Sequence, residues 1–444
     1  MTDTRIIPKT PTRGRIALLV LLYVYVAACC VSLFYVAYYF RGYHVLNYDP
    51  SQLVPGLLMA APLAALAFVF ALARFSFGHL LGFCFYTIVF GYLFLARSSA
   101  LDYDHVLGSI SAFISLLAFL APALFITAPI KQRLVLSRAG FERVLALVLV
   151  LSILIVGVAS LFNFRLVGLA DMYAFRAQLD FPAPVRYAIG NLVGTLLPFA
   201  FAGYLALGKP WRALAALVLI GLFYPITLTK LTLFAPFWLV FLWWLGRSFE
   251  ARIAVVLSLL LPVSIGDLLL PLLASGTLSY QHFIDFFGTI NFRMIAVPSI
   301  ALDLYSHFFT RHDLTHFCQI QVLKRFIACP YSEYLSVIMS KTYDLGAVNA
   351  SLFATEGVAS LGLKGAPLAA LACGLVTAFV NRLSHGLPPR FILVSAGALT
   401  QIMMNVPFST SLLTDGAAVL FLLWYVTPRD LFEQGDSKAG VGRT

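Results

Sequence analysis

Long apolar runs, separated by short polar ones, fill the chain from end to end. Each run approaches the ~20 residues that a helix needs to cross a bilayer. None alternates with period two, which excludes a membrane β-barrel. The pattern predicts about twelve helices, near 16–40, 53–72, 79–97, 106–130, 143–163, 187–207, 212–229, 231–246, 253–273, 365–381, 391–410 and 416–427. The last two are the least regular, because Asn405 and Pro407 interrupt one and the other is short. Two longer connections stand out, 164–186 and 274–350. The second far exceeds the usual connection of about 4–6 residues, and loops of such length are mostly functional or disordered. Its aromatics and amphipathic stretches predict order and short helices. The predicted fold class is an all-α polytopic integral membrane protein, a single transmembrane domain over 1–444 with one long loop between helices 9 and 10.

Composition agrees: 61% of residues are hydrophobic and only 11% charged, against about 25% charged in a soluble domain. The formal net charge is +11. Basic residues gather in alternate connections, as the positive-inside rule requires of cytoplasmic loops, so the charge predicts no nucleic-acid partner. Segments assigned inside hold 18 of the 30 Lys and Arg, which places both termini in the cytoplasm and 164–186 and 274–350 outside. The first apolar run is too long for a signal peptide and lacks a small-residue cleavage site, so it reads as a span.

The long outer segment carries His282, His307, His312 and His316, half of the 8 histidines. His312 and His316 have the i, i+4 spacing of a metal-binding helix face, with Asp313 or His307 as a third candidate. No Glu follows His312, however, so the HExxH pattern is absent. Hydrogen-bonded loop histidines are the better reading, and no metal or other cofactor is expected. Cys318 and Cys329 also lie in this segment, and in an oxidising space they are a plausible disulfide pair. Closing so short a loop stabilises by about 3 kcal/mol in the chain-entropy model. Cys29, Cys30, Cys84 and Cys373 fall within helices as core filler. GxSxG, SxxK and GxxxxGK[ST] are all absent.

The remaining chemistry is cationic. Arg165, Arg176 and Arg186 lie in one outer connection, Arg293 and Arg311 in the other, and Lys230 at an outer helix end. Outer-surface charges often only snorkel. As a group they suit the two phosphates of a lipid diphosphate, which arginine grips bidentately.

Four motifs in order carry a resemblance: DMYAFR (171–176), TKLTLFAPF (229–237), INFRMIAVPS (290–299) and NASLFATEGVASLGLKG (349–365). With the span count and the two outer loops, the chain resembles the oligosaccharide repeat-unit polymerases of bacterial surface polysaccharides, the O-antigen polymerase (Wzy-like) family. The spaced Arg…Gly signature of some members is not found here. The resemblance implies an inverting, GT-C-like glycosyltransferase of the bacterial inner membrane. Its donor would be a glycan on undecaprenyl diphosphate and its acceptor a repeat unit on the same lipid. A chain-length regulator and a flippase are implied as further partners, besides membrane lipids. The chemistry needs cations on the leaving diphosphate and a base for the attacking hydroxyl. Glu356, His307 and His312 are the candidate bases, with Asp171 or Asp303 as fallbacks; Glu356 could equally pair with Lys364 or an arginine. Two other readings share the architecture: an O-antigen ligase-type transferase, and a lipid-linked oligosaccharide flippase. A flippase would show internal repeats and midplane charges, and Asp267 is the main such charge.

Overall fold

The computed structural model describes residues 12–41, 45–168, 171–176, 178–320, 322–346 and 348–432. Among them, eleven helices are long and apolar enough to cross a membrane. They are α1 (Gly14–Tyr39), α2 (Pro50–Leu72), α3 (Phe77–Ser98), α4 (His105–Phe125), α5 (Arg138–Ser160), α6 (Ala183–Ala206), α7 (Pro210–Thr227), α8 (Lys230–Ser248), α9 (Ala251–Ala274), α10 (Tyr280–Phe309) and α11 (Phe353–Leu383). The first nine coincide with the first nine expected spans. Several begin at side-chain caps that satisfy otherwise orphaned amides: Ser76 for α3, Asp104 for α4 and Ser137 for α5.

α3 is the axis of the bundle, buried from Phe77 to Ala96. Its glycines let neighbours approach closely, as small residues do in membrane interfaces; Gly91 lies where any Cβ would strike Ser299 of α10.

The ends of α1 and α3 meet at one face. An isolated antiparallel bridge joins Leu46 to Ser99, with Asn47 N–H donating to Ser98 O at 2.7 Å. We call this face the rim. At the opposite face Arg252, at the start of α9, donates to the carbonyls of Ala71 and Ala73 at the end of α2, both at 3.2 Å. So α9 runs towards the rim.

The segment after α9 departs from expectation. What reads as a loop opens with α10, 30 residues long. Both ends of α10 stay at the rim: Phe283 packs on Tyr39 at 4.9 Å, and Asp303 accepts from Ser99 at 2.6 Å. Its middle dips into the bundle. There Asn291 Nδ2 donates to Ser32 Oγ at 2.9 Å and to Val263 O at 3.0 Å, and Ser299 Oγ donates to Ile88 O at 2.8 Å. A π-helical stretch, Gly288–Ala296, forms the bottom of this shallow V, a usual place for bending a helix. Polar residues such as Asn291, Arg293 and Asp303 dilute its apolarity to a mean hydropathy of 1.2, the lowest of the eleven helices, which is why the sequence pattern reads as a loop there.

α11 is likewise not one straight span. Gly362 adopts φ 70°, ψ 173°, which only glycine takes without strain. The chain folds back there, bringing Gly357 opposite Ala366. The short arm, Phe353–Ala359, starts deep, with Phe353 against Phe85 and Phe119, and rises towards the rim. The long arm then descends to the opposite face, where Asn381 accepts from Gly78 N–H at 2.8 Å.

The two expected C-terminal spans are four short helices: Pro389–Ser395, Gly397–Met403, Phe408–Leu413 and Ala417–Val426. Gly397, Pro407 and Gly416 (φ 82°) punctuate them.

Candidate functional site

Three elements converge at the rim: the α3–α4 connection, the rising half of α10, and the segment that follows α10. Asp303, 6% exposed, is the focus. Ser99 Oγ donates to one carboxylate oxygen at 2.6 Å and the Tyr103 hydroxyl donates to the other. The Tyr103 oxygen also lies 2.8 Å from the Tyr92 hydroxyl. His105 Nδ1 is 3.9 Å from Asp303. The other ring nitrogen of His105, Nε2, sits 2.8 Å from Leu101 O. A carbonyl only accepts, so Nε2 carries the proton. Nδ1 is buried with no hydrogen-bond partner, so its lone pair faces the carboxylate unused. The Tyr103 ring stacks obliquely on His105 at 4.1 Å. Burial, and then the charge of Asp303, raise the Tyr103 hydroxyl far above its ordinary pKa, so it remains a donor at all physiological pH.

His307 borders this cluster. Its ring lies 6.2 Å from Tyr103, and its Nδ1 is 2.6 Å from the Tyr343 hydroxyl. Burial, followed by the Asp303 charge, also raises Tyr343. Arg311 closes the outer side, donating to Asp102 O at 2.6 Å and to its carboxylate at 3.0 Å. His312 turns away: its ring stacks on Phe308 at 3.8 Å and its Nδ1 is 2.9 Å from Phe308 O.

Glu356 is 3% exposed and serves a different neighbourhood. One oxygen accepts from Ser409 N–H at 2.8 Å and Ser409 Oγ at 2.6 Å, and the other accepts from Thr355 Oγ1 at 2.6 Å. The carboxylate therefore stitches the re-entrant arm of α11 to the first turn of Phe408–Leu413.

The remaining cations divide. Arg165, Arg176 and Arg186 are exposed on the 164–186 connection, with Arg165 over Phe175 and Arg186 over Tyr187. That connection docks on the α7–α8 hairpin through buried Met172, Tyr224 and Leu228; the Tyr224 hydroxyl donates to Val167 O at 2.6 Å. Lys230 is half-buried in the first turn of α8. Arg293 is exposed on the π-helical stretch of α10. Thus the structure joins DMYAFR to TKLTLFAPF, and it packs the rising half of α10 against the re-entrant arm.

Cys318 and Cys329 form a disulfide with a Cα–Cα distance of 5.3 Å, within the ordinary range. Among the described residues, no group of three or more His, Cys, Asp or Glu could hold a metal ion.

Ser99, Tyr103 and His105 are the members that sequence reasoning missed. The density of titratable groups in LDYDH, residues 101–105, was the available signal. Asp303 stood only as a fallback. Comparison with protein-family models, curated proteins and solved structures finds no match to this chain.

Proposed function

We propose that the protein is a membrane-embedded inverting glycosyltransferase that polymerises undecaprenyl-diphosphate-linked repeat units into a surface polysaccharide. The observation that carries this reading is the Asp303–His105 pair at the rim, held by Ser99 and Tyr103 on a helix that dips into the bundle and returns. In this reading the rim faces the periplasm, at the level where a lipid diphosphate lies.

The reaction needs a base next to a lipid headgroup. The acceptor hydroxyl attacks the anomeric carbon of the donor, its proton passes to the Asp303–His105 pair, and the C–O bond to the lipid diphosphate breaks with inversion. Asp303 stabilises the positive charge that His105 gains; in contrast to the Asp–His pairs of hydrolases, where the carboxylate already accepts from the far ring N–H, the nitrogen that takes up the proton here faces the carboxylate. Two close titratable groups share the proton as a unit. His307 and Arg311 flank the pair on the solvent side. The leaving diphosphate takes its positive charge from Arg311 and from the exposed arginines Arg165, Arg176, Arg186 and Arg293, with Lys230 behind them.

The reading is tested by deleting the gene and analysing surface polysaccharide. Collapse of polymer to single repeat units supports it. Intact polymer lacking transfer to its final acceptor would instead identify a ligase-type transferase. Loss of all periplasmic lipid-linked units would identify a flippase.

A further inference from the structure

A second polar site lies beside the rim cluster, and the chemistry described so far does not use it. The disulfide-closed segment after α10 encloses a cavity of about 420 Å³. That volume falls in the range of about 300–1,000 Å³ typical of small-ligand sites. Both disulfide cysteines form part of its wall, facing Tyr331, Glu333 and Tyr334. Gln319, Lys324, Thr315 and Ser332 add to the polar lining.

These residues have the character of a site rather than of packing. Tyr334 is 70% exposed, an aromatic face left uncovered at the cavity mouth. Tyr331 is fixed at the other side, its hydroxyl donating to Asp313 O at 2.6 Å and its ring against Phe308 and Phe309. Gln319 donates from Nε2 to Ser360 Oγ at 2.8 Å, while its carbonyl oxygen is buried with no hydrogen-bond partner. Buried amide oxygens normally have a donor. Glu333 is held by Lys341 at 2.6 Å, which fixes its carboxylate at the wall.

The wall is also costly to hold. His316 and Phe317 are consecutive non-glycine residues with φ 46° and φ 67°. Such left-handed residues cost on the order of 1–3 kcal/mol each and persist where surrounding structure over-determines them. Here the disulfide does so, together with Thr315 N–H, which donates to Ala359 O at 2.8 Å. Through Thr315 and Gln319 the cavity floor is tied to the end of the re-entrant arm.

We propose that this cavity is a saccharide-binding site, taking a short polar segment of the growing glycan. The uncovered ring of Tyr334 offers a face for the C–H side of a sugar ring. Gln319, Glu333 and Lys324 offer acceptors and donors to its hydroxyls. A lipid tail or an apolar ligand would leave these polar groups unpaired, which is unfavourable. The proposal rests on the glycosyltransferase reading for the identity of the glycan. The cavity adjoins the end of α10 that carries Asp303, with Tyr331 against Phe308 and Phe309, and retention of the glycan here would keep successive additions on one chain.

The test uses full-length protein in detergent and, as probe, the repeat-unit oligosaccharide released from the host's lipid-linked pool by mild acid. Saturation-transfer difference NMR reads the contact. The expected result is transfer to sugar C–H protons. Affinity is expected to weaken by about tenfold in Tyr334→Ala and to be retained in Tyr334→Phe, in line with the worth of an aromatic contact. Trp211→Ala, on the opposite face beside the Lys209–Glu142 ion pair, is expected to bind as wild type. Binding is also expected to persist in Asp303→Asn, in which glycan polymerisation is lost. Equal transfer in wild type and Tyr334→Ala, or none in either, overturns the site even if the enzyme polymerises. Tyr334-dependent binding in a protein whose deletion leaves polymer intact supports the site and sinks the glycosyltransferase reading.

Discussion

Asp303 and Glu356 are both buried carboxylates near the rim, and both accept hydrogen bonds on each oxygen. Their surroundings separate them. The donors to Glu356 are a backbone amide and two hydroxyls, none of which exchanges protons near neutral pH, and they belong to elements that must be held together. Asp303 has a histidine at 3.9 Å whose near nitrogen lacks a partner. Burial and satisfied hydrogen bonds are thus common to a stitch and to the reaction centre proposed at Asp303. A neighbour that can take up a proton marks the second.

Substitutions that keep shape sharpen this contrast. Asp303→Asn is expected to lower polymer formation by about 10²–10⁴-fold, the usual contribution of a general base, and to cost about 1–3 kcal/mol of stability, because one of its two acceptor oxygens becomes a donor. Glycan ladders and a melting curve on the same preparation check both halves. Next in size is the disulfide: replacing Cys318 and Cys329 by Ser is expected to cost about 2–4 kcal/mol locally. The loss should appear as faster proteolysis within 315–337, with the bundle intact. Glu356→Gln keeps an acceptor for Ser409 and is expected to cost about 1–3 kcal/mol of stability while retaining most activity. A melting curve unchanged from wild type, with activity abolished, would reverse the roles of the two carboxylates. Arg311→Ala has the smallest effect on stability, and is expected to act on activity through the leaving diphosphate. Its bond to Asp102 is exposed, and such pairs contribute little, so a drop in melting temperature within about 2 °C is expected.

The pH profile supplies a further check on the same pair. Tyr103 is held protonated by burial and by the Asp303 charge. Tyr103→Phe therefore removes a donor that pH does not switch off in wild type. Its activity is expected to fall, and the limb that reports the Asp303–His105 pair is expected to move to higher pH, because the carboxylate loses a hydrogen bond that favours its charged form. Kinetics across pH 5–9 on the variant test this.

Much of the bundle was legible because α1–α9 are long apolar runs, several of them with a side-chain cap at the start, and length alone fixes such helices. The rest was hidden for physical reasons. α10 carries Asn291, Arg293 and Asp303 on faces that hydropathy averages together, and it is recognised only when Phe283 and Asp303 are both seen at the rim. The re-entrant arm of α11 depends on one positive-φ glycine, Gly362, which looks like any other glycine in sequence. The C-terminal breaks at Asn405 and Pro407 were visible, but the helices they separate are each too short to span. Of the site, His307 and Arg311 were found because histidines and arginines are sparse in a greasy chain. Ser99, Tyr103 and His105 were not, because their partner lies about two hundred residues away (|i−j| is 204 for Ser99 and 200 for Tyr103).

The central claim is that this chain transfers glycan between lipid carriers. The direct measurement reconstitutes the purified protein in liposomes with the undecaprenyl-diphosphate-linked repeat unit as sole substrate. Product length and free undecaprenyl diphosphate are then followed together. The account predicts a ladder of oligomers, one undecaprenyl diphosphate released for each linkage formed, and neither with Asp303→Asn. Unconsumed substrate with the wild-type protein, or substrate moved across the bilayer without any new linkage, would contradict it.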